Sequence, residues 1–165
     1  MNTQTYPDEW AALESRLREV PGVVVINRTL SRQEVYNLEA LCDCFASLHR
    51  SEGFGLGLAE SMFLGKPVIG TNWSGNVDFM DETNSCPVKY RLVELDRDYG
   101  PYKKGQRWAD ADVDHAAWCM RKIVEDAAFR GRIAEAGRAT LHTRFSRKAV
   151  GELYRKRLDV IARLL

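Results

Sequence analysis

Leu48-His49-Arg50-Ser51-Glu52-Gly53-Phe54-Gly55-Leu56-Gly57-Leu58-Ala59-Glu60 sets a glycine loop between a strand and a helix. The run that leads into it, Cys44-Phe45-Ala46-Ser47-Leu48, has the pattern of a buried strand. Beyond the loop, Leu58, Ala59, Met62 and Phe63 form a helical stripe expected to face the sheet. Backbone N–H groups at a helix start have no partner within the helix and carry the positive end of its dipole. Glycines at 53, 55 and 57 would let an anion approach that backbone closely. In an open parallel sheet such a loop lies at the carboxyl end of a strand, where ligands bind.

Working outward, Gly65 stops the helix with Pro67 just beyond, and Pro67-Val68-Ile69-Gly70 reads as the next strand. Val77 to Met80 makes a helical turn, and Ser85 to Tyr90 a last strand. Upstream, a helix runs from about Pro7 to Glu19, with Trp10, Leu13, Leu17 and Val20 at helical spacing. Val23-Val24-Val25-Ile26 has the β-branched pattern of a buried parallel strand. Ser31-x-x-Glu34 is a capping box opening a helix to about Leu41. Residues 91–110 read as a long connection carrying Gly100-Pro101 and Gly105. The remainder is helical with breaks near Gly131 and Phe145, and its last helix, from about Arg147, gathers Val150, Leu153, Tyr154, Leu158 and Ile161 on one face. The alternation predicts an α/β fold: a Rossmann-like parallel sheet sandwiched by helices, one domain over residues 1–165 with C-terminal helices at 112–165.

Composition narrows the function classes. The 165 residues suit one hydrophobic core, and a net charge of +1 provides no field to attract nucleic acid. No apolar run approaches the ~20 residues of a membrane helix. Met1 to Trp10 lacks the charged start and apolar middle of a secretion signal. The chain is therefore expected in the cytoplasm, with any membrane contact peripheral. Cys42, Cys44, Cys86 and Cys119 lack metal-finger spacing and sit in apolar stretches, as buried free thiols do.

Glu52 in the loop and Glu60 on the helix are separated by seven residues. Helical side chains lean toward their N-terminus, so Glu60 can reach back to whatever the loop holds. A carboxylate repels phosphate but accepts well from paired sugar hydroxyls, at about 1.5–3 kcal/mol per charge-assisted bond. Phosphate in the middle and sugars at both ends describe a nucleotide sugar. Taken singly, Glu60 reads first as a favourable partner for the helix dipole. Thr71, Ser74, Gly75 and Asn76 form a second small-residue loop, either lining the same cleft or serving as a capped turn. Arg50 can neutralise phosphate, or stand as an ordinary surface cation. Tyr90, Tyr99, Tyr102 and Trp108 are candidates to stack on a base or acceptor, or to pack under a long loop. Asp110-x-Asp112-x-Asp114 opens a helix, where aspartates cap, so no metal ion is expected there. The dinucleotide fingerprint needs glycine or alanine at position 58, where leucine stands, which disfavours an NAD enzyme.

Ser51-Glu52-Gly53-Phe54-Gly55-Leu56 with Glu60, then Gly65-Lys66-Pro67-Val68-Ile69 and Ser74-Gly75-Asn76, resembles the retaining GT-B glycosyltransferases of family 4, marked by an E-x7-E motif. The resemblance implies that this is the C-terminal, donor-binding half of such an enzyme. It places Glu52 at the transferred sugar as the catalytic carboxylate, and gives Glu60 the ribose hydroxyls. Amides of Gly53, Phe54, Gly55 and Leu56 would hold sugar and diphosphate, with Arg28 and Thr29 near the base. Ser74, Gly75 and Asn76 complete the implied donor set. Its implied partners are a nucleotide sugar and the N-terminal GT-B domain that carries the acceptor site; no cofactor or metal is implied. The isolated chain would bind nucleotide weakly and turn over negligibly, the whole enzyme making a polysaccharide, lipopolysaccharide or other glycoconjugate. The alternative is a non-catalytic nucleotide-sugar-binding or assembly module.

Overall fold

A computed structural model describes residues 7–164. The sequence reads as one domain; the coordinates divide it into two compact units, up to Arg32 and from Gln33 onward. In the first, helix α1 (Pro7–Arg18) starts with Asp8 and Glu9 and ends with Arg16 and Arg18, complementing its dipole. The expected strand at Val23-Val24-Val25-Ile26 does not form. That run is exposed throughout, Val24 at 83%. β-Branched side chains supply apolar faces, but a strand also needs neighbours for its N–H and C=O groups. Among the described residues no strand pairs with this one.

The second unit follows the expected order. Helix α2 (Arg32–Leu41) leads to strand β1 (Phe45–Ser47), helix α3 (Leu56–Phe63), strand β2 (Val68–Thr71) and strand β3 (Cys86–Val88). The three strands are parallel in the order β1-β2-β3, Ala46 facing Ile69 and Gly70 facing Pro87. Gly65, at φ 74°, ends α3: its N–H donates to the Met62 carbonyl, and that of Lys66 to Ser61. Helices α4 (Val113–Glu125), α5 (Ala127–Arg144) and α6 (Arg147–Ala162) close the chain.

Strand β2 is buried along its whole length, and its pleat feeds two cores. Val68 packs with Leu58, Met62, Phe79 and Leu141. Ile69, next along the strand, packs with Val88, Cys119, Ile123 and Ile133. Truncating either β2 side chain to alanine would cost on the order of 2–4 kcal/mol.

Four expectations need correction. Phe63 is half exposed, stacked on His142 at 4.1 Å, and Ser61 is the residue buried instead. The helical break falls at Asp126, not Gly131. Asp126 ends α4 and caps α5, accepting from the Phe129 N–H at 2.8 Å and from Lys122 at 2.7 Å. The Lys122 ammonium, then the Phe129 amide, hold its carboxyl below the usual range. A capping aspartate punctuates more firmly than a mid-helix glycine, which costs only about 1 kcal/mol. Residues 91–110 are not a bare connection: strands β4 (Tyr90–Glu94) and β5 (Arg107–Ala111) form an antiparallel hairpin, Leu92 facing Ala109. Its far end turns through Gly100 and Gly105, both at positive φ. Lastly, Asp110 belongs to β5 and pairs with Arg91 at 2.9 Å; only Asp112 caps α4, accepting from the His115 N–H.

The apolar stripe of α6 is exposed, with Leu153, Tyr154 and Leu158 all open. Among the described residues no helix is long and apolar enough to cross a membrane. All four cysteines are free thiols, Cys86 and Cys119 buried and Cys42 and Cys44 half-buried.

Candidate functional site

Parallel strands deliver their following loops to one edge of the sheet. The loop after β1 carries residues 48–55, and the loop after β2 carries residues 72–74. The two are stitched together through the Ser74 hydroxyl and the backbone. The Glu52 N–H donates to Ser74 Oγ at 3.1 Å, the Ser74 hydroxyl donates back to the Glu52 carbonyl, and the Gly75 N–H reaches that carbonyl at 3.3 Å. Gly75 is required by this closeness, since a Cβ there would lie 1.9 Å from the Gly53 carbonyl oxygen. Ser74 sits at φ 80°, a conformation that costs a non-glycine residue on the order of 1–3 kcal/mol and concentrates at functional sites.

Gly55 begins α3 in the left-handed region, φ 90° and ψ 53°, and no side chain caps the helix. The helix start is thus presented by glycine alone, with about half an elementary charge of positive dipole behind it. Gly57 sits against the Phe45 ring, where a Cβ would come within 2.9 Å, so α3 lies tight on β1. Phe54 turns its ring to Phe79 at 5.1 Å and Phe145 at 5.9 Å, fixing the loop from below while its amide stays with the loop. Glu52 and Glu60 are both half-buried, the first in the loop, the second in the middle of α3. Leu56 is exposed at the first helical position and Gly53 is exposed before it.

Asn76 is fully buried, and its side chain is committed to the fold. Its Nδ2 donates to the Thr71 carbonyl at 2.9 Å, and its Oδ1 lies 3.0 Å from His49 Nε2. Asn76 therefore shapes the second loop, which leaves Ser74 and Gly75 at its surface. Arg28 and Thr29 belong to the first unit, both exposed.

Two features of this edge escape sequence reasoning. His49 bridges the loops, touching both the Trp73 carbonyl and Asn76. The β4–β5 hairpin is joined to the motif, the Ala109 N–H donating to the Arg50 carbonyl at 2.9 Å. Arg50 does not aim at the glycine loop: its guanidinium lies 4.7 Å over the Trp108 ring, 3.8 Å from Asp110. The alternating apolar positions Leu92 and Ala109, around turn glycines, were the signal available for the hairpin.

Comparison with known proteins gives the same picture. The family model Glycosyl transferases group 1 matches residues 10–86, just under half of the chain. No curated protein sequence matches. Among solved structures, HepE from Anabaena in complex with UDP and glucose superposes with TM-score 0.70 at 20% identity, over 96% of this chain and 37% of that one. The C-terminal domain of the group 1 glycosyl transferase LpcC from Francisella tularensis gives 0.63 at 19%, over 85% and 64%. Sucrose-phosphate synthase from Thermosynechococcus elongatus gives 0.64 at 19%, over 92% and 35%. The chain thus spans little more than a third of the length of HepE. At such identities the likeness speaks to architecture, and the architecture is the Rossmann-like α/β fold of GT-B C-terminal domains.

Proposed function

We propose that this chain is the donor-binding half of a retaining, family 4 type glycosyltransferase. The observation that carries the reading is the uncapped start of α3 at Gly55, closed over by the Glu52–Ser74–Gly75 stitch. Amides of Gly53, Phe54, Gly55 and Leu56 meet the diphosphate, and the helix dipole stabilises the charge that builds on it as the sugar departs. Glu52 of the E-x7-E pair takes hydroxyls of the transferred sugar, and Glu60 takes the ribose. Ser74 and Gly75 close the cradle, and Asn76 supports it from beneath. The amides and dipole supply the countercharge, so the reading uses no metal ion and no cofactor.

A second, N-terminal GT-B domain brings the acceptor, and proximity, which can supply several kcal/mol of the barrier, needs both halves. The isolated chain binds nucleotide weakly and turns over negligibly. The product class is a polysaccharide, lipopolysaccharide or other glycoconjugate, made in the cytoplasm with any membrane contact peripheral.

A saturation-transfer NMR screen of UDP-, GDP- and ADP-sugars against the 165-residue chain tests this reading. One nucleotide series should receive saturation at its ribose protons, and Glu60→Ala should abolish it. Ribose saturation unchanged in Glu60→Ala would remove the ribose role, and no binding by any series would end the reading.

A further inference from the structure

The loop that carries Glu52 is held on both sides of that residue. Upstream, the His49 ring reaches the Trp73 carbonyl and Asn76. At Glu52 itself the N–H donates to Ser74 Oγ, and the carbonyl accepts from the Ser74 hydroxyl and the Gly75 N–H. The Glu52 backbone is thus committed to the fold, while among the described residues nothing bonds its carboxylate. Between these anchors Arg50 is gripped by the β4–β5 hairpin. Its carbonyl accepts from the Ala109 N–H at 2.9 Å, and its guanidinium lies 4.7 Å over the Trp108 ring and 3.8 Å from Asp110. The grip is itself braced. Arg91 Nε and Nη2 donate to one Asp110 oxygen at 3.1 and 2.9 Å, and half-buried Trp108 has Tyr99 at 5.1 Å and Tyr102 at 5.9 Å.

We propose that Arg50 is a positioning residue: held by Trp108, Ala109 and Asp110, it sets where the Glu52 carboxylate stands, and so tunes recognition of the transferred sugar without touching the ligand. The inference rests on the sugar role given to Glu52 under Proposed function. Only Ser51 separates the grip from Glu52, so a shift at Arg50 has little chain over which to relax. Hydrogen bonds from hydroxyls to a carboxylate span about 2.5–3.0 Å and weaken steeply when misaligned, so a small displacement is enough to lose them. A cation already over a ring and beside a carboxylate has its partners, which separates this role from that of a phosphate ligand.

The test is NMR titration of the 165-residue chain with two ligands: the nucleotide sugar that the NMR screen selects, and the nucleoside diphosphate it contains. The variants are Arg50→Ala, Trp108→Leu, Glu52→Ala, and Arg50→Ala combined with Glu52→Ala. Arg50→Ala and Trp108→Leu should each weaken the nucleotide sugar roughly tenfold, the scale of one charge-assisted hydrogen bond, and leave the diphosphate within about twofold. Unchanged diphosphate binding also reports that the variants are folded. In the Glu52→Ala background, Arg50→Ala should add less than about twofold, because the carboxylate it positions is gone. Equal weakening of both ligands, or the full loss persisting in the double variant, overturns the positioning role. A loss in Glu52→Ala with none in Arg50→Ala overturns it while leaving the donor reading intact. Wild-type sugar binding by Glu52→Ala, or a wild-type chain that binds neither ligand, overturns the role of Glu52 and this inference together.

Discussion

The imidazole of His49 joins two loops: its Nε2 lies 3.0 Å from the Trp73 carbonyl and 3.0 Å from Asn76 Oδ1. Both partners are acceptors, because the Asn76 amide nitrogen already donates to Thr71. Nε2 must therefore carry a proton, and Nδ1 lies 3.5 Å from the Ser47 hydroxyl. One ring thus holds the loop after β1 against the loop after β2. His49→Ala leaves a buried oxygen of Asn76 without its donor and should cost about 1–3 kcal/mol in urea unfolding. His49→Gln, which keeps a donor, should recover part of that. Equal unfolding midpoints for wild type and His49→Ala would mean that the bridge holds nothing.

Gly75 and Gly131 predict opposite outcomes for the same substitution. A methyl at Gly75 collides with the Gly53 carbonyl at 1.9 Å, and the loops must part. Gly75→Ala should destabilise by about 1–3 kcal/mol and weaken binding of the nucleotide sugar that the NMR screen selects. Gly131 lies inside α5, where an added Cβ meets nothing within 4 Å. Gly131→Ala should stabilise by about 0.5–1 kcal/mol with binding unaltered. Thermal denaturation, and titration with the nucleotide sugar that the NMR screen selects, check the pair. A stable, fully binding Gly75→Ala protein would show that the two loops need not touch.

What could be read from the sequence follows a physical divide. Residues 44–70 were legible because strand, glycine loop, helix and stop are each specified locally, and Gly55 and Gly65 occupy the positive-φ positions that only glycine takes readily. Asp112 was legible for the same reason, as a cap bonding three residues ahead. Val23 to Ile26 misled because a strand is a relation between segments, and apolar periodicity says nothing about whether a partner is at hand. The hairpin was missed through its polar faces: Arg91 pairs with Asp110 across the strands, and Glu94 stands opposite Arg107 in register. The His49 bridge spans 24 and 27 residues, a separation that no local pattern records.

The cysteines give a pH test. Burial, reinforced by Cys42 near Cys44 and by Cys119 near Cys86, pushes both thiols from the ordinary 9 up to about 12. The unfolded chain ionises these thiols from about pH 9, while the folded chain keeps them protonated. Their contribution to stability is thus complete below pH 9 and lost as pH rises toward 12. Urea midpoints measured between pH 8 and 11 should fall less steeply in the Cys44→Ala, Cys86→Ala double variant than in wild type. Parallel curves would show that the thiols are not shielded.

The central claim is that main-chain amides at the start of α3, flanked by Glu52 and Glu60, hold a sugar–diphosphate–ribose ligand. Nitrogen-15 amide NMR of the 165-residue chain titrated in turn with UDP-, GDP- and ADP-sugars tests it most directly. The account predicts the largest shifts at Gly53, Phe54, Gly55 and Leu56, with smaller ones at Ser74 and Gly75. Shifts centred instead on the cavity between Cys44 and Met120, across the sheet from α3, would contradict it.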